Sequence, residues 1–111
     1  MNPGNKGDLL RQAGRLRKDM ERVQEELKNR YVQGSAGGDL VGATVNGQQE
    51  VVKLSISPKF FGELAAKVDI ALLEDLILAA VSQGLEKSKT LMKNELEQVS
   101  GGLGGLLPGL F

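Results

Sequence analysis

The sequence contains no cysteine and no histidine. Without cysteine there is no disulfide, no thiolate metal site and no cysteine nucleophile. Without histidine the commonest general base and metal ligand are missing, so the serines have no imidazole to activate them. The two glycine-rich stretches, residues 34–38 and 101–105, lack the Lys-Ser/Thr pair that completes a phosphate-binding loop. We therefore predict a protein that is not an enzyme and that uses no metal, cofactor or small-molecule substrate.

An excess of charge of one sign is also absent, because fourteen Lys and Arg residues balance fourteen Asp and Glu residues. This balance argues against a strongly basic nucleic-acid-binding protein, so such a role would depend on local clusters of charge. No run of about 18 apolar residues is present, which argues against a membrane span. Residues 1–7 lack the apolar segment of a secretory signal. We expect a cytoplasmic protein.

Residues 8–31 form the most strongly patterned segment. Its apolar residues are spaced by 4-3-4-3-4 positions, which places them on one narrow face of a helix. We call this set the apolar stripe: Leu9, Ala13, Leu16, Met20, Val23 and Leu27. Such a heptad-like stripe suits pairing between helices, so we predict a subunit interface in a homodimer. The alternative is that the stripe packs on the sheet or second helix of its own chain.

Basic residues lie on the opposite side of this helix. Four of them fall within about 60° of one another, at about 100° per residue. We call this set the basic stripe: Arg11, Arg15, Lys18 and Arg22. It is either a solvated face or a surface that contacts phosphates, which arginine binds with two parallel hydrogen bonds. Lys89 and Lys93 share one face of the second long helix and extend the candidate surface. No aromatic residues are interleaved with these bases, so contact with the backbone of duplex DNA is favoured over stacking on single strands.

The middle of the chain predicts a three-stranded antiparallel meander. Residues 31–35, 40–45 and 48–57 read as strands, separated by a glycine-rich turn and by Asn46-Gly47, the dipeptide best suited to a type I′ turn. A short or irregular bridge follows Pro58. Asp69 is expected to cap a second long helix whose two apolar stripes predict two partners, the sheet and another helix.

These elements predict an α+β fold with the order α-β-β-β-α. We divide the chain into a flexible lead over residues 1–7, a single domain over residues 8–100, and a mobile Gly/Leu-rich tail over residues 101–111. Two long helices and a small sheet bury little surface in one chain, which also favours a dimer.

The order of the motifs resembles the YbaB/EbfC nucleoid-associated proteins of bacteria. The resemblance spans nearly the whole chain and rests on a set of short motifs in a fixed order. They are Glu25-Glu26-Leu27, Gly34, Gly37-Gly38, Leu40-Val41, Asn46-Gly47, Ile56-Ser57-Pro58, Leu73-Glu74-Asp75-Leu76-Ile77 and Leu107-Pro108-Gly109.

The resemblance implies a tweezer-like homodimer whose projecting helices contact double-stranded DNA. It also implies a place in the nucleoid and effects on nucleoid organisation and gene expression. Carried onto this sequence, it assigns DNA contact to the basic stripe and, secondarily, to Lys89 and Lys93. A different reading is a structural or adaptor dimer whose helical arms grip a protein partner, in which case the basic stripe serves only solubility.

Overall fold

The computed structural model describes residues 3–63 and 69–101. The strands form one antiparallel sheet in the order β1-β2-β3. The helices and strands are α1 Pro3–Leu27, β1 Tyr31–Ala36, β2 Val41–Asn46, β3 Val51–Ile56, α2 Pro58–Glu63 and α3 Ile70–Ser100. The predicted order of a long helix, a three-stranded meander and a second long helix is confirmed. The short helix α2 begins the predicted bridge over residues 59–68, and residues 64–68 lie outside the described part of the chain.

The first helix begins earlier than the sequence predicts. It starts at Pro3, so residues 3–7, assigned above to a flexible lead, are helical. Asp8, whose side chain would suit the N-cap of a helix that began after the lead, lies inside α1. Proline suits the first helical position because its missing N–H would have no partner there, and the glycines that follow weaken a helix by about 1 kcal/mol each without ending it. The Asp8 carboxylate instead accepts a hydrogen bond from Arg11 at 2.6 Å.

The second long helix lies across β1 and β2. Val41 and Ala43 of β2 are buried against Ala80 of α3. Two glycines permit this close crossing: a Cβ added to Gly34 would collide with the backbone oxygen of Ala80, and one added to Gly84 would lie 2.6 Å from Cγ2 of Val45. The helix starts where the sequence predicts. Asp69 is its N-cap, because the Asp69 side chain accepts a hydrogen bond from the N–H of Leu72 at 3.0 Å.

The two long helices pack against each other beyond the sheet. Val23 and Leu27 of α1 form a buried cluster with Leu96 of α3. The helix α3 ends at Gly101, which has a left-handed φ of 63°. The described part of α1 continues well past this cluster, and the molecule measures 78 × 22 × 16 Å. The distal half of α1 is therefore an arm that projects from a small body.

The β2–β3 turn differs from the predicted type I′ turn. Asn46 still belongs to β2, and the positive φ of 63° falls at Gln49. The Asn46 side chain explains the difference, because its Oδ1 accepts from the N–H groups of Gln48 and Glu50, both at 3.0 Å. Gly47 is required by close approach, since a Cβ there would lie 2.6 Å from the carbonyl oxygen of Leu27.

The predictions for the ends of the chain are a flexible lead over residues 1–7 and a mobile tail over residues 101–111. The tail over residues 102–111 and the first two residues lie outside the described part of the chain. Within residues 3–63 and 69–101, no helix is both long enough and apolar enough to cross a membrane.

Candidate nucleic-acid interface

The basic stripe lies on the exposed side of α1. All four of its residues are exposed, while Val23 and Leu27 on the opposite side are buried against α3. The helical repeat thus separates a face that packs on the body from a face that meets solvent. The structure brings the four cations together as the sequence predicts; their contact with DNA remains a prediction.

The four cations differ in their acidic neighbours. Arg22 pairs with Glu26 at 3.1 Å and approaches Asp19 at 3.9 Å. Arg11 pairs with Asp8 at 2.6 Å, in a solvent-exposed position where such pairs contribute little stability. Arg15 and Lys18 form no ion pair with any residue that the structure describes. The charge available to an anionic ligand is therefore greatest in the middle of the stripe.

A shallow depression lies among these cations. It has a volume of about 320 Å³ and is lined by Arg11, Gly14, Arg15 and Lys18. A Cβ added to Gly14 would meet no atom within 4 Å, so the missing side chain opens this surface toward solvent. Three cations around an uncrowded stretch of helix form a suitable seat for a phosphate group.

Lys89 and Lys93 lie in a different place. They line a groove of about 520 Å³ together with Gln24 of α1, Gln49 of the turn and Glu86 of α3. Gln24 is about 160° around α1 from Arg22, so the groove and the basic stripe lie on different sides of the helix. The six predicted DNA-contacting residues therefore form two groups.

The apolar stripe is divided by the structure. Val23 and Leu27 are covered by their own chain, so this half follows the intramolecular alternative and is not available to a partner subunit. Met20 and Leu16 are half-buried, whereas Ala13 is exposed and Leu9 keeps 60% of its surface exposed. The reason is that α3 runs alongside only the proximal half of α1.

A second uncovered apolar surface lies beside β3. The register pairs Leu54 with Ala43, which places Leu54 on the same face of the sheet as α3. Since α3 lies over β1 and β2, Leu54 remains 43% exposed and Leu78 of α3 remains 66% exposed. The sequence pattern predicts a strand at Leu54 and two packing partners for the apolar stripes of α3, the second of which includes Leu78, but neither residue belongs to the predicted dimer interface.

Sequence reasoning also missed the polar contacts at the base of α1. Arg30 pairs with Glu95 at 2.9 Å, and Nε2 of Gln48 donates to the carbonyl oxygen of Gln24 at 2.8 Å. Both contacts join residues far apart in sequence, so no local pattern announces them.

Comparison with known proteins identifies the family. The model of the YbaB/EbfC DNA-binding family matches residues 1–103. The chain belongs to this family. A nucleoid-associated protein of Acetivibrio thermocellus is 43% identical over 97% of this chain and 91% of its own length. Another, from Pelotomaculum thermopropionicum, is 38% identical over the full length of both chains.

A solved structure is similar to this chain in fold. An uncharacterized protein from Helicobacter pylori has a TM-score of 0.59 and 21% sequence identity, covering 74% of this chain and 90% of that one. The similarity is one of fold and extends over most of both chains.

Proposed function

We propose that this protein is a nucleoid-associated protein that binds duplex DNA through the phosphate backbone. The observation that carries the proposal is the pair Arg15 and Lys18, two exposed cations with no ion pair among the described residues, on an arm that projects from the body. Membership of a DNA-binding family and the nucleoid-associated relatives support the same ligand. Phosphate contacts of this kind position a protein on DNA without reading its sequence.

The proposed binding unit is a homodimer. The uncovered surface beside β3, formed by Val52 and Leu54 with Leu78 on the flank of α3, is apolar and is 43% or more exposed at each residue. A two-fold axis would place the same surface of a second chain against it, which removes apolar area from water in both copies. The exposed distal half of the apolar stripe, Leu9 and Ala13, lies on the arm and stays a candidate for further contact with a partner subunit.

Two arms in one dimer explain how binding would change DNA shape. Each chain contributes one α1, and two cationic arms held at a fixed separation contact the duplex at two places. Bending is favoured when it allows more phosphate contacts than a straight duplex does. We infer effects on nucleoid organisation and gene expression from this shape change.

The test is a gel shift with a random-sequence duplex across a salt series, with light scattering on the same samples. A dimer whose DNA complex weakens steeply with salt supports the proposal, because the slope counts the phosphates neutralised. Duplexes labelled at both ends for energy transfer report bending in the same titration. Absence of any complex at low salt would refute DNA binding and would favour a protein partner for the arms.

A further inference from the structure

The base of α1 is fastened to the β2–β3 turn. The last four carbonyls of a helix have no donor within the helix. In α1, the carbonyls of Glu25, Glu26 and Leu27 accept from the N–H groups of the residues that directly follow the helix. The fourth carbonyl, that of Gln24, accepts from Nε2 of Gln48 at 2.8 Å. A side chain of the turn therefore completes the C-terminal end of the arm helix.

A backbone contact adds to this attachment. The N–H of Gly47 donates to the carbonyl oxygens of Leu27 and Arg30, both at 2.8 Å. The turn thus holds α1 at its last carbonyls and also holds the segment that leads into β1. Because Gly47 and Gln48 are neighbours, their bonds to Leu27 and Gln24 fix the end of α1 at two points one helical turn apart.

The same turn is anchored to α3. Ser88 of α3 is fully buried, and its hydroxyl donates to the carbonyl oxygen of Asn46 at 2.6 Å and accepts from the N–H of Gln49 at 3.1 Å. The Asn46 side chain holds the turn internally through two further backbone N–H groups. The turn is consequently a rigid link between the base of α1 and the middle of α3.

The length of the arm magnifies any change at its base. Arg11 precedes Gln24 by thirteen residues, which is about 20 Å along a helix. A rotation of about 10° at the base would move Arg11 by roughly 3.5 Å, close to the spacing of successive base pairs. The packing of α1 on α3 near Val23 and Leu27 leaves the distal half without support from α3.

We propose that Gln48 is a positioning residue that sets the direction in which α1 leaves the body. It touches no DNA in this proposal and acts through the Gln24 carbonyl. The direction of α1 is a property of the protein alone, while its consequence for DNA affinity rests on the proposed function. A measurement of the arm without DNA therefore separates the two.

The chain has no cysteine, so two introduced cysteines can be spin-labelled without background. Gln12→Cys on the arm and Asn94→Cys on α3 are both at exposed positions. Pulsed dipolar spectroscopy, with labelled chain diluted in unlabelled chain, gives the distance within one chain. The test variant is Gln48→Met, which keeps the length of the side chain and removes the amide; Gln48→Ala repeats the test with a smaller residue.

The matched control is Gln83→Met. The Gln83 side chain accepts a hydrogen bond from the N–H of Ser35 at 2.8 Å. Like the Gln48 contact, this bond joins a glutamine side chain to a backbone group, but it connects α3 to β1 and not to α1. We expect Gln48→Met to shift or broaden the label distance by about 3 Å, the displacement of a 20 Å arm turned by about 10°, while Gln83→Met leaves it unchanged. DNA affinity should fall in Gln48→Met with an unchanged salt slope, because every cation remains.

An unchanged distance distribution in folded Gln48→Met or Gln48→Ala would overturn the proposal, even if DNA affinity fell. An equal change in Gln83→Met would also overturn it, since the effect would then follow from general loosening. If the unsubstituted protein binds no DNA, the proposed function fails, and the label distances still decide the role of Gln48.

Discussion

Replacing both Arg15 and Lys18 with glutamine should weaken DNA binding through loss of two phosphate contacts. These residues are exposed and form no ion pair within the described residues, so their removal leaves no acidic partner unbalanced. Each contact contributes about 0.9 to the slope of log K against log salt on duplex DNA, so the slope should fall by about 1.8 per arm that engages. If these contacts contribute nothing at 1 M salt, the affinity at 0.1 M falls roughly 60-fold.

The control is the double variant Lys6→Gln/Arg17→Gln. It removes the same charge from the same half of α1; both residues are exposed, and Arg17 pairs with Glu21 at 3.2 Å. Arg17 lies about 120° around the helix from Arg11, away from the basic stripe. Gel shifts of both variants across 0.05–0.3 M salt, roughly the range in which such complexes dissociate, give the two slopes. Equal losses of DNA affinity in the two variants would refute a defined contact face. DNA would then be attracted only by the net charge of the arm.

Three further predictions concern stability and assembly. Leu27→Ala should lower the free energy of unfolding by about 2–5 kcal/mol in urea titrations, because Leu27 is 1% exposed; a loss under about 1 kcal/mol would contradict its packing on α3. Gly14→Ala should raise that free energy by about 1 kcal/mol, since its Cβ meets nothing and alanine favours the helix, whereas Gly34→Ala should prevent normal packing of α3 on β1. Leu78→Glu should give monomers in light scattering with helical content retained, while Ala79→Glu, also exposed on α3 but about 100° around the helix from Leu78, stays dimeric; a dimeric Leu78→Glu protein would place the interface elsewhere.

Local signals predicted the architecture because each acts within a few residues. The alternation of Val41, Ala43 and Val45 identified a buried strand face, and Asp69 identified the start of α3. The Asn46-Gly47 turn was predicted wrongly in its type. The Asn46 side chain holds the turn from within, and Ser88, which is 42 residues away from Asn46, and the end of α1 hold it from outside. The last two contacts are not visible in a four-residue window.

The candidate site was predictable only in part for the same reason. Helical periodicity placed Arg11, Arg15, Lys18 and Arg22 on one exposed face. It did not predict which half of the apolar stripe lies beside α3, because that depends on where α3 ends relative to α1. It also joined Lys89 and Lys93 to the basic stripe, whereas the three-dimensional packing of α1 on α3 places them in a separate groove.

The distribution of charge along α1 explains how a chain with no net charge can attract DNA. Residues 3–18 of α1 carry five basic residues and one acidic residue, while residues 19–27 carry one basic and four acidic residues. The centres of these segments are about 19 Å apart on a straight helix, farther than the Debye length of about 10 Å at 0.1 M salt. The acidic residues at the base of α1 therefore do little to cancel the positive electrostatic field at the distal half of the helix. The same segregation discourages phosphates from approaching the base of the arm, where the contacts of Gln24, Leu27 and Glu95 hold the helix to the body.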